Sequence, residues 1–295
     1  MRVAVIGGLG FIGRSITKKL VDLGHDVRVL DIIIEKPIKG TELIVADITN
    51  FDQIARCLDG IDIVYHLAGT VVGTSRKNPR LAVNLDILGT SNVLEACVKT
   101  GVEKLIYASS FYVYDGLSAD TEVNEDSCSD IFKAETFGVV KLVGERLVQE
   151  YNNRYGLKNM ILRFGPAYGP SDRCTCAISD FIETGLRKKP IVIWGPGKRK
   201  NQYTYVEDIA DGCVGVLSLE NDILNLISPE RIMTSQVADI LSRNYKFTIK
   251  YDLNKPEGPT MPFMSSKKAE NKLNWKPVSL EEGINETLQV MKNTV

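Results

Sequence analysis

Residues 7–13 read Gly7-Gly8-Leu9-Gly10-Phe11-Ile12-Gly13 and fall between a short apolar run, Arg2 to Ile6, and an amphipathic stretch, Phe11 to Leu23. Glycines at this spacing allow a tight turn after a strand, let the backbone approach a pyrophosphate, and let the following helix pack closely on that strand. The helix also brings its free N–H groups and positive dipole end to the same spot. A glycine triplet alone is weak evidence, but a strand before it and a helix after it are the context such a loop requires. A second apolar run, Asp26 to Leu30, ends in Asp31. A carboxylate there accepts hydrogen bonds from both hydroxyls of an adenosine ribose and repels a 2′-phosphate, which favours NAD over NADP.

Alternating strand and helix patterns continue to about Met160-Ile161-Leu162-Arg163, so the predicted fold class is α/β with a parallel sheet. Lys104 to Ala108 reads as a buried strand running into Ser109 and Ser110, which places hydroxyls at a strand's carboxyl end, where open α/β sheets bind ligands. The segment from Lys133 to Tyr155 has helical periodicity, with Val140, Leu147 and Tyr151 or Val143 recurring, so positions 137 and 141 share one face.

A serine at a strand end, with an aromatic four residues before a lysine, resembles the Ser/Tyr-x-x-x-Lys site of the short-chain dehydrogenase/reductase superfamily. Phe137 stands where that site has its tyrosine. The glycine spacing is that of the extended branch, the sugar-nucleotide epimerases and dehydratases, and the likeness covers essentially the whole chain. Asp47-Ile48 matches the adenine contact. His66-Leu67-Ala68-Gly69 matches the segment beside the cofactor's phosphates and ribose, with His66 expected to be packed rather than catalytic. Asn84, in Asn84-Leu85-Asp86-Ile87-Leu88-Gly89-Thr90, matches a structural asparagine.

The resemblance implies a Rossmann-type doubly wound parallel sheet over residues 1–165, with a back-crossing segment near 205–226. It implies a smaller C-terminal α/β substrate-binding domain from 166–204 and 227–295, the texture changing at Gly165-Pro166-Ala167-Tyr168-Gly169-Pro170. Pro166 occupies a substrate-cleft position that is usually Asn, and Asn201 one that is usually a diphosphate-binding Arg. Lys198, Arg199 and Lys200 stand close enough to supply that charge, Arg199 foremost because a guanidinium binds bidentately; the alternative is a solvated basic loop.

In the family's site a tyrosinate takes the proton from a sugar hydroxyl while hydride leaves its carbon. The serine holds the same oxygen, and the lysine lowers the tyrosine's pKa and bonds the nicotinamide ribose. Ser110 and Lys141 fit the last two roles. Phe137 has no ionisable proton, and loss of such a base costs ~10²–10⁴-fold. Three readings follow: a recent or engineered edit of an intact site, the first choice because Ser110 and Lys141 persist; another base, Tyr112 or Tyr114; or a protein that binds NAD and a nucleotide without turnover. The 4,6-dehydratases carry an acidic pair after this serine. Here Phe111 and Tyr112 follow, which looks more like the UDP-sugar 4-epimerases, with a nucleotide-sugar oxidoreductase or atypical dehydratase as rival.

Composition sets outer bounds. The chain has 295 residues, 44% hydrophobic, at net charge −1, enough for a large core and without a bias toward nucleic acid. No apolar run is expected to reach the ~20 residues that span a bilayer, and no charged-then-apolar leader precedes the first strand, so a cytoplasmic protein is expected. Cys57, Cys97, Cys128, Cys174, Cys176 and Cys213 form no Cys-x-x-Cys pair, and with two histidines no metal site is expected; Cys174-x-Cys176 is read as reduced thiols in a substrate-side loop, a redox pair being the alternative. Helices over roughly 78–99 and 133–155, with Leu88, Val93, Val139 and Val143, match those that pair across a two-fold axis in the family, which implies a homodimer.

Overall fold

The computed structural model describes residues 1–127, 130–171, 173–174 and 176–292; Cys128 lies outside them. The sheet contains β1 (Arg2–Ile6), β2 (Asp26–Asp31), β3 (Thr41–Val45), β4 (Ile63–His66), β5 (Lys104–Ser110), β6 (Lys158–Phe164) and β7 (Asp222–Leu226). Their order is 7-6-5-4-1-2-3 and every neighbouring pair is parallel. Parallel strands are covered on both faces, so they read as continuous apolar runs rather than alternating ones; every residue of β5 is buried.

The chain winds both ways from β1. Helices α1 (Phe11–Asp22) and α5 (Val206–Gly215) cover one face, burying Ile16, Leu20, Ile209 and Cys213 against Val3, Val29 and Tyr65. The other face carries α2 (Phe51–Cys57), the helical run α3 (Pro79–Thr100) and α4 (Thr136–Tyr155), with Ile54, Val93, Leu94 and Val148 in its core. Because β1 has β2 on one side and β4 on the other, a crevice opens at their carboxyl ends.

Three details depart from the expectations. Helix α4 starts at Thr136 rather than Lys133, because Glu135 is extended and its N–H donates to Asp115 Oδ2 at 2.8 Å. The run α3 is long and apolar enough to cross a membrane by length and composition, contrary to the expected absence of such a run. It packs on the sheet, with 44% of its most apolar window buried, as a core helix does. It also contains a π-helical turn, Val83–Gly89.

Beyond β6 the elements are smaller. Ile191–Trp194 pairs in parallel with Ile249–Asp252, and Lys200–Asn201 antiparallel with Ile232–Met233. Helices Ala177–Leu186, Thr234–Tyr245 and Leu280–Lys292 bury Ile178, Ile182, Leu241, Ile284 and Leu288 in a separate apolar cluster. Residues 206–226 return to the sheet as α5 and β7, and the Trp275 indole N–H donates to Asp208 O at 2.8 Å, holding the later chain against α5.

Candidate active site

The loop after β1 is shaped by backbone. Gly7 has φ +84° and its N–H donates to Leu30 O at 2.7 Å. A Cβ on Gly13 would lie 2.2 Å from Gly7 O, and one on Gly7 would lie 2.8 Å from the Ala68 nitrogen. Neither contact is tolerable, so only glycines let loop, helix and the Leu67-Ala68 segment come this close. Asp31, nearly buried, accepts the Leu9 N–H at 3.0 Å and the Ile33 N–H at 3.2 Å. Its carboxylate thus stands at the loop where an adenosine ribose would lie. Asp47 is exposed past the end of β3, while Ile48 is buried beneath it, fitted against Gly89 and held by Asn92 Nδ2 on its carbonyl at 2.9 Å. Gly10 caps α1, and Phe11 and Ile12 pack toward the C-terminal apolar cluster. Gly69 is exposed at the crevice.

Ser110, Phe137 and Lys141 converge one strand further over. Ser110 ends β5 and its Oγ accepts the Tyr112 N–H at 3.3 Å as the chain enters the short turn Phe111–Tyr114. Gly138 lets α4 press on that turn, since a Cβ there would be 2.4 Å from Tyr112 O. Phe137 consequently meets the Tyr112 ring edge-on, centroids 5.4 Å apart. One turn on, Lys141 Nζ lies 5.8 Å from the Phe137 centroid and 3.3 Å from Ala108 O.

Asn84 takes no part in this arrangement. It is exposed on the π-turn, whereas Asp86, two residues on and so on the opposite side of the helix, turns inward. Asp86 Oδ1 is 3.1 Å from Lys141 Nζ, and its carboxylate accepts the Thr70 hydroxyl at 2.5 Å and the Thr70 N–H at 3.1 Å. A π-turn shifts helical phase, a feature that residue spacing does not announce. Burial opposes the Lys141 charge, but Tyr107, Asp86 and Glu145 outweigh it and hold the ammonium above its ordinary pKa.

The neighbouring groups divide cleanly. His66 is buried with Nε2 3.0 Å from Thr90 Oγ1; burial, aided by Lys141, drops its pKa to about 3, so it is a neutral packed group as expected. Tyr114 is fully buried, accepts Arg163 Nη1 at 2.7 Å, and lies 2.9 Å from Asn225 Oδ1, with its pKa pushed up to about 12 by burial. It is structural. Arg163 itself is clamped by Glu145 at 2.9 and 2.7 Å, so it braces β6 against α4. Tyr112 is partly buried, and burial raises its pKa while Arg76 and Arg199 oppose that rise.

On the substrate side, a small cavity of about 190 Å³ is lined by Phe111, Pro166, Lys200, Asn201, Arg231 and Met264 among others. Asn201 is buried and donates to the Tyr203 hydroxyl at 3.0 Å. Lys198 and Lys200 are exposed, and Arg199 Nε donates to Pro259 O at 2.9 Å. Arg231, which no motif singled out, joins Lys200 at this cavity and is anchored to Ala119 O and Met261 O at 3.0 and 2.6 Å. Cys174 is buried, accepts the Ser179 hydroxyl at 3.1 Å, and is pulled below its ordinary pKa by a hydrogen bond from Cys176.

With this geometry in hand, the model of the NAD dependent epimerase/dehydratase family matches residues 3–226. The chain belongs to that family. It is 33% identical to a UDP-glucuronate 4-epimerase of Thermodesulfobacterium geofontis over 84% of this chain and 79% of the relative. It superposes on the UDP-glucose 4-epimerase of Thermotoga maritima bound to UDP-glucose with TM-score 0.91, at 25% identity, covering 100% of this chain and 99% of the other. A UDP-glucuronic acid 4-epimerase of Bacillus cereus in complex with UDP-glucuronic acid and NAD gives TM-score 0.88 at 28% identity, with both chains fully covered. The family's cofactor is NAD, and the glycine cradle and the Asp31 carboxylate fit it.

Proposed function

We propose that this family member is a UDP-sugar 4-epimerase working through a transient 4-keto sugar, with turnover disabled at position 137. The observation that carries the reading is the convergence of Ser110 and Lys141 on the ring of Phe137 beside the dinucleotide cradle. Bound NAD supplies a hydride acceptor and donor. Ser110 Oγ holds the reacting sugar hydroxyl, and Lys141 holds a ribose hydroxyl. Arg199, Lys200 and Arg231 balance the diphosphate charge, Asn201 being neutral and already bonded. Phe137 fills the volume of a tyrosine but takes no proton. Dehydration is disfavoured because Phe111 and Tyr112 bring no carboxylate after the serine.

A second reading rests on Tyr112. Its ring contacts Phe137 and it follows Ser110 by two residues, so its phenol is the nearest replacement for the missing oxygen.

The test is conversion of UDP-glucose, UDP-N-acetylglucosamine and UDP-glucuronate to their C4 epimers between pH 7 and 10, by the protein, Phe137→Tyr and Tyr112→Phe. The disabled-epimerase reading expects Phe137→Tyr to gain about two orders of magnitude or more at its best pH. Appreciable turnover by the unaltered protein, abolished by Tyr112→Phe, selects the second reading. Reduced cofactor accumulating in proportion to substrate identifies a net oxidoreductase. NAD and nucleotide binding without turnover by any form identifies a binding protein.

We further propose a cytoplasmic homodimer. Support for the pairing comes from Val83 and Leu88, each 49% exposed on α3, and Tyr155 at the end of α4; Val93 is wholly inside the protein's own core and plays no part. Sedimentation as a monomer at micromolar concentration rules the dimer out.

A further inference from the structure

Lys141 is an enclosed cation, with side chain 7% exposed, and its neighbours decide what its charge does. Asp86 touches it at 3.1 Å and is itself fixed by the Thr70 N–H and hydroxyl. Of the other titratable groups around it, His66 is neutral, Tyr107 presents its ring at 5.4 Å, and the Glu145 carboxylate is committed to Arg163 and the Ser109 hydroxyl. The backbone passes directly over the pair: a Cβ on Gly69 would lie 2.3 Å from Asp86 Oδ1 and 3.3 Å from Lys141 Nζ.

A lone buried ammonium next to position 137 stabilises any oxyanion there. An ammonium in contact with a carboxylate acts outward as a dipole, whose field falls off faster than that of a charge, and the carboxylate adds its own repulsion. The Lys141 charge is therefore already satisfied without a phenolate, and Phe137 leaves no cation unpaired. We propose that Asp86 is a positioning residue that takes up the charge of Lys141, so that a phenol at position 137 is activated only when the carboxylate at 86 is also removed. On this view Phe137 and Asp86 are two halves of one arrangement rather than an isolated edit of an otherwise intact site. The inference rests on the reading of Ser110, Phe137 and Lys141 as the reacting centre.

The experiment titrates the added phenol by NMR in NAD-bound protein labelled with [13Cζ]tyrosine. Its resonance is the one present in Phe137→Tyr and absent from the parent, which has 11 tyrosines. The expected result is a titration at or above the ordinary phenol value of ~10 in Phe137→Tyr, and at least one unit lower in Asp86→Asn/Phe137→Tyr. A phenol already titrating near neutrality in Phe137→Tyr overturns the proposal, as does an unchanged value in the double variant. If Asn at 86 prevents folding, the single variant still decides, since a value near neutrality refutes the idea and one at or above ~10 supports it. Turnover gives an independent readout. A base acts when deprotonated, so epimerisation by Phe137→Tyr rises toward pH 10, and that of the double variant levels off at least one unit earlier. Failure of every form to epimerise sinks the epimerase reading but leaves the phenol titration to judge Asp86.

Discussion

Two glycine-bearing loops face the ligand cleft, and they are built in opposite ways. Around Gly7 and Gly13 the site is made of backbone, each glycine lying within 3 Å of other main-chain atoms if given a Cβ. Around Gly195 and Gly197 the main chain also turns with positive φ, but the chemistry lies in the side chains of Lys198, Arg199 and Lys200. Those side chains are set by a distant segment: Lys198 N–H bonds Glu257 at 2.7 Å and Arg199 bonds Pro259 O. A backbone-built site admits one residue type at each tight position. A side-chain-built site depends on whichever neighbours the fold supplies, and here they include Arg231, some thirty residues away in sequence.

Four substitutions break or sharpen this contrast, in falling order of expected effect. Glu145→Ala attacks a side-chain device, stranding the buried Arg163 guanidinium, and should cost about 3–5 kcal/mol of stability in urea unfolding. A loss below about 1 kcal/mol would mean that the pair is not a brace. Gly13→Ala attacks the backbone device. Its Cβ meets main chain on a short, rigid path, so a loss of about 1–3 kcal/mol is expected together with loss of NAD binding by calorimetry. Gly73→Ala is the control, since nothing lies within 4 Å of its Cβ, and unimpaired stability there shows that crowding rather than glycine loss is at work. Arg199→Ala should weaken UDP binding about tenfold, or about 1.4 kcal/mol, while leaving NAD affinity alone; an unchanged UDP affinity makes the basic run a solvated loop. Asp31→Asn should narrow the preference for NAD over NADP by up to about tenfold, the smallest effect, because the Leu9 N–H keeps an acceptor.

The same distinction explains what was legible in the residues. The β1 glycine loop, Asp31, and the placement of Ser110 at a strand end followed directly from spacing, and the structure brings Phe137 and Lys141 to Ser110 as the four-residue interval requires. The helix over 136–155 was visible, but its first turn was misjudged because a bond from Glu135 to Asp115 spans twenty residues. Asn84 was chosen over Asp86 because an asparagine matched a pattern, while the π-turn that turns Asp86 toward Lys141 is a matter of how α3 packs. Tyr112 and Tyr114 looked alike as aromatics after a strand. Packing separates them, sinking Tyr114 into the Arg163 network and leaving Tyr112 beside Phe137.

By itself, then, the sequence determined the doubly wound α/β fold, the dinucleotide cradle and the absent oxygen at position 137. These rest on local rules: periodicity, glycine conformational freedom, and the identity of one side chain. Tertiary structure alone decided that Lys141 is already paired with Asp86, that Asn201 is occupied by Tyr203, and that Arg231 reaches the cavity beside Lys200. Electrostatic partnership depends on distances of a few ångströms between segments far apart in the chain. Only the folded packing sets those distances.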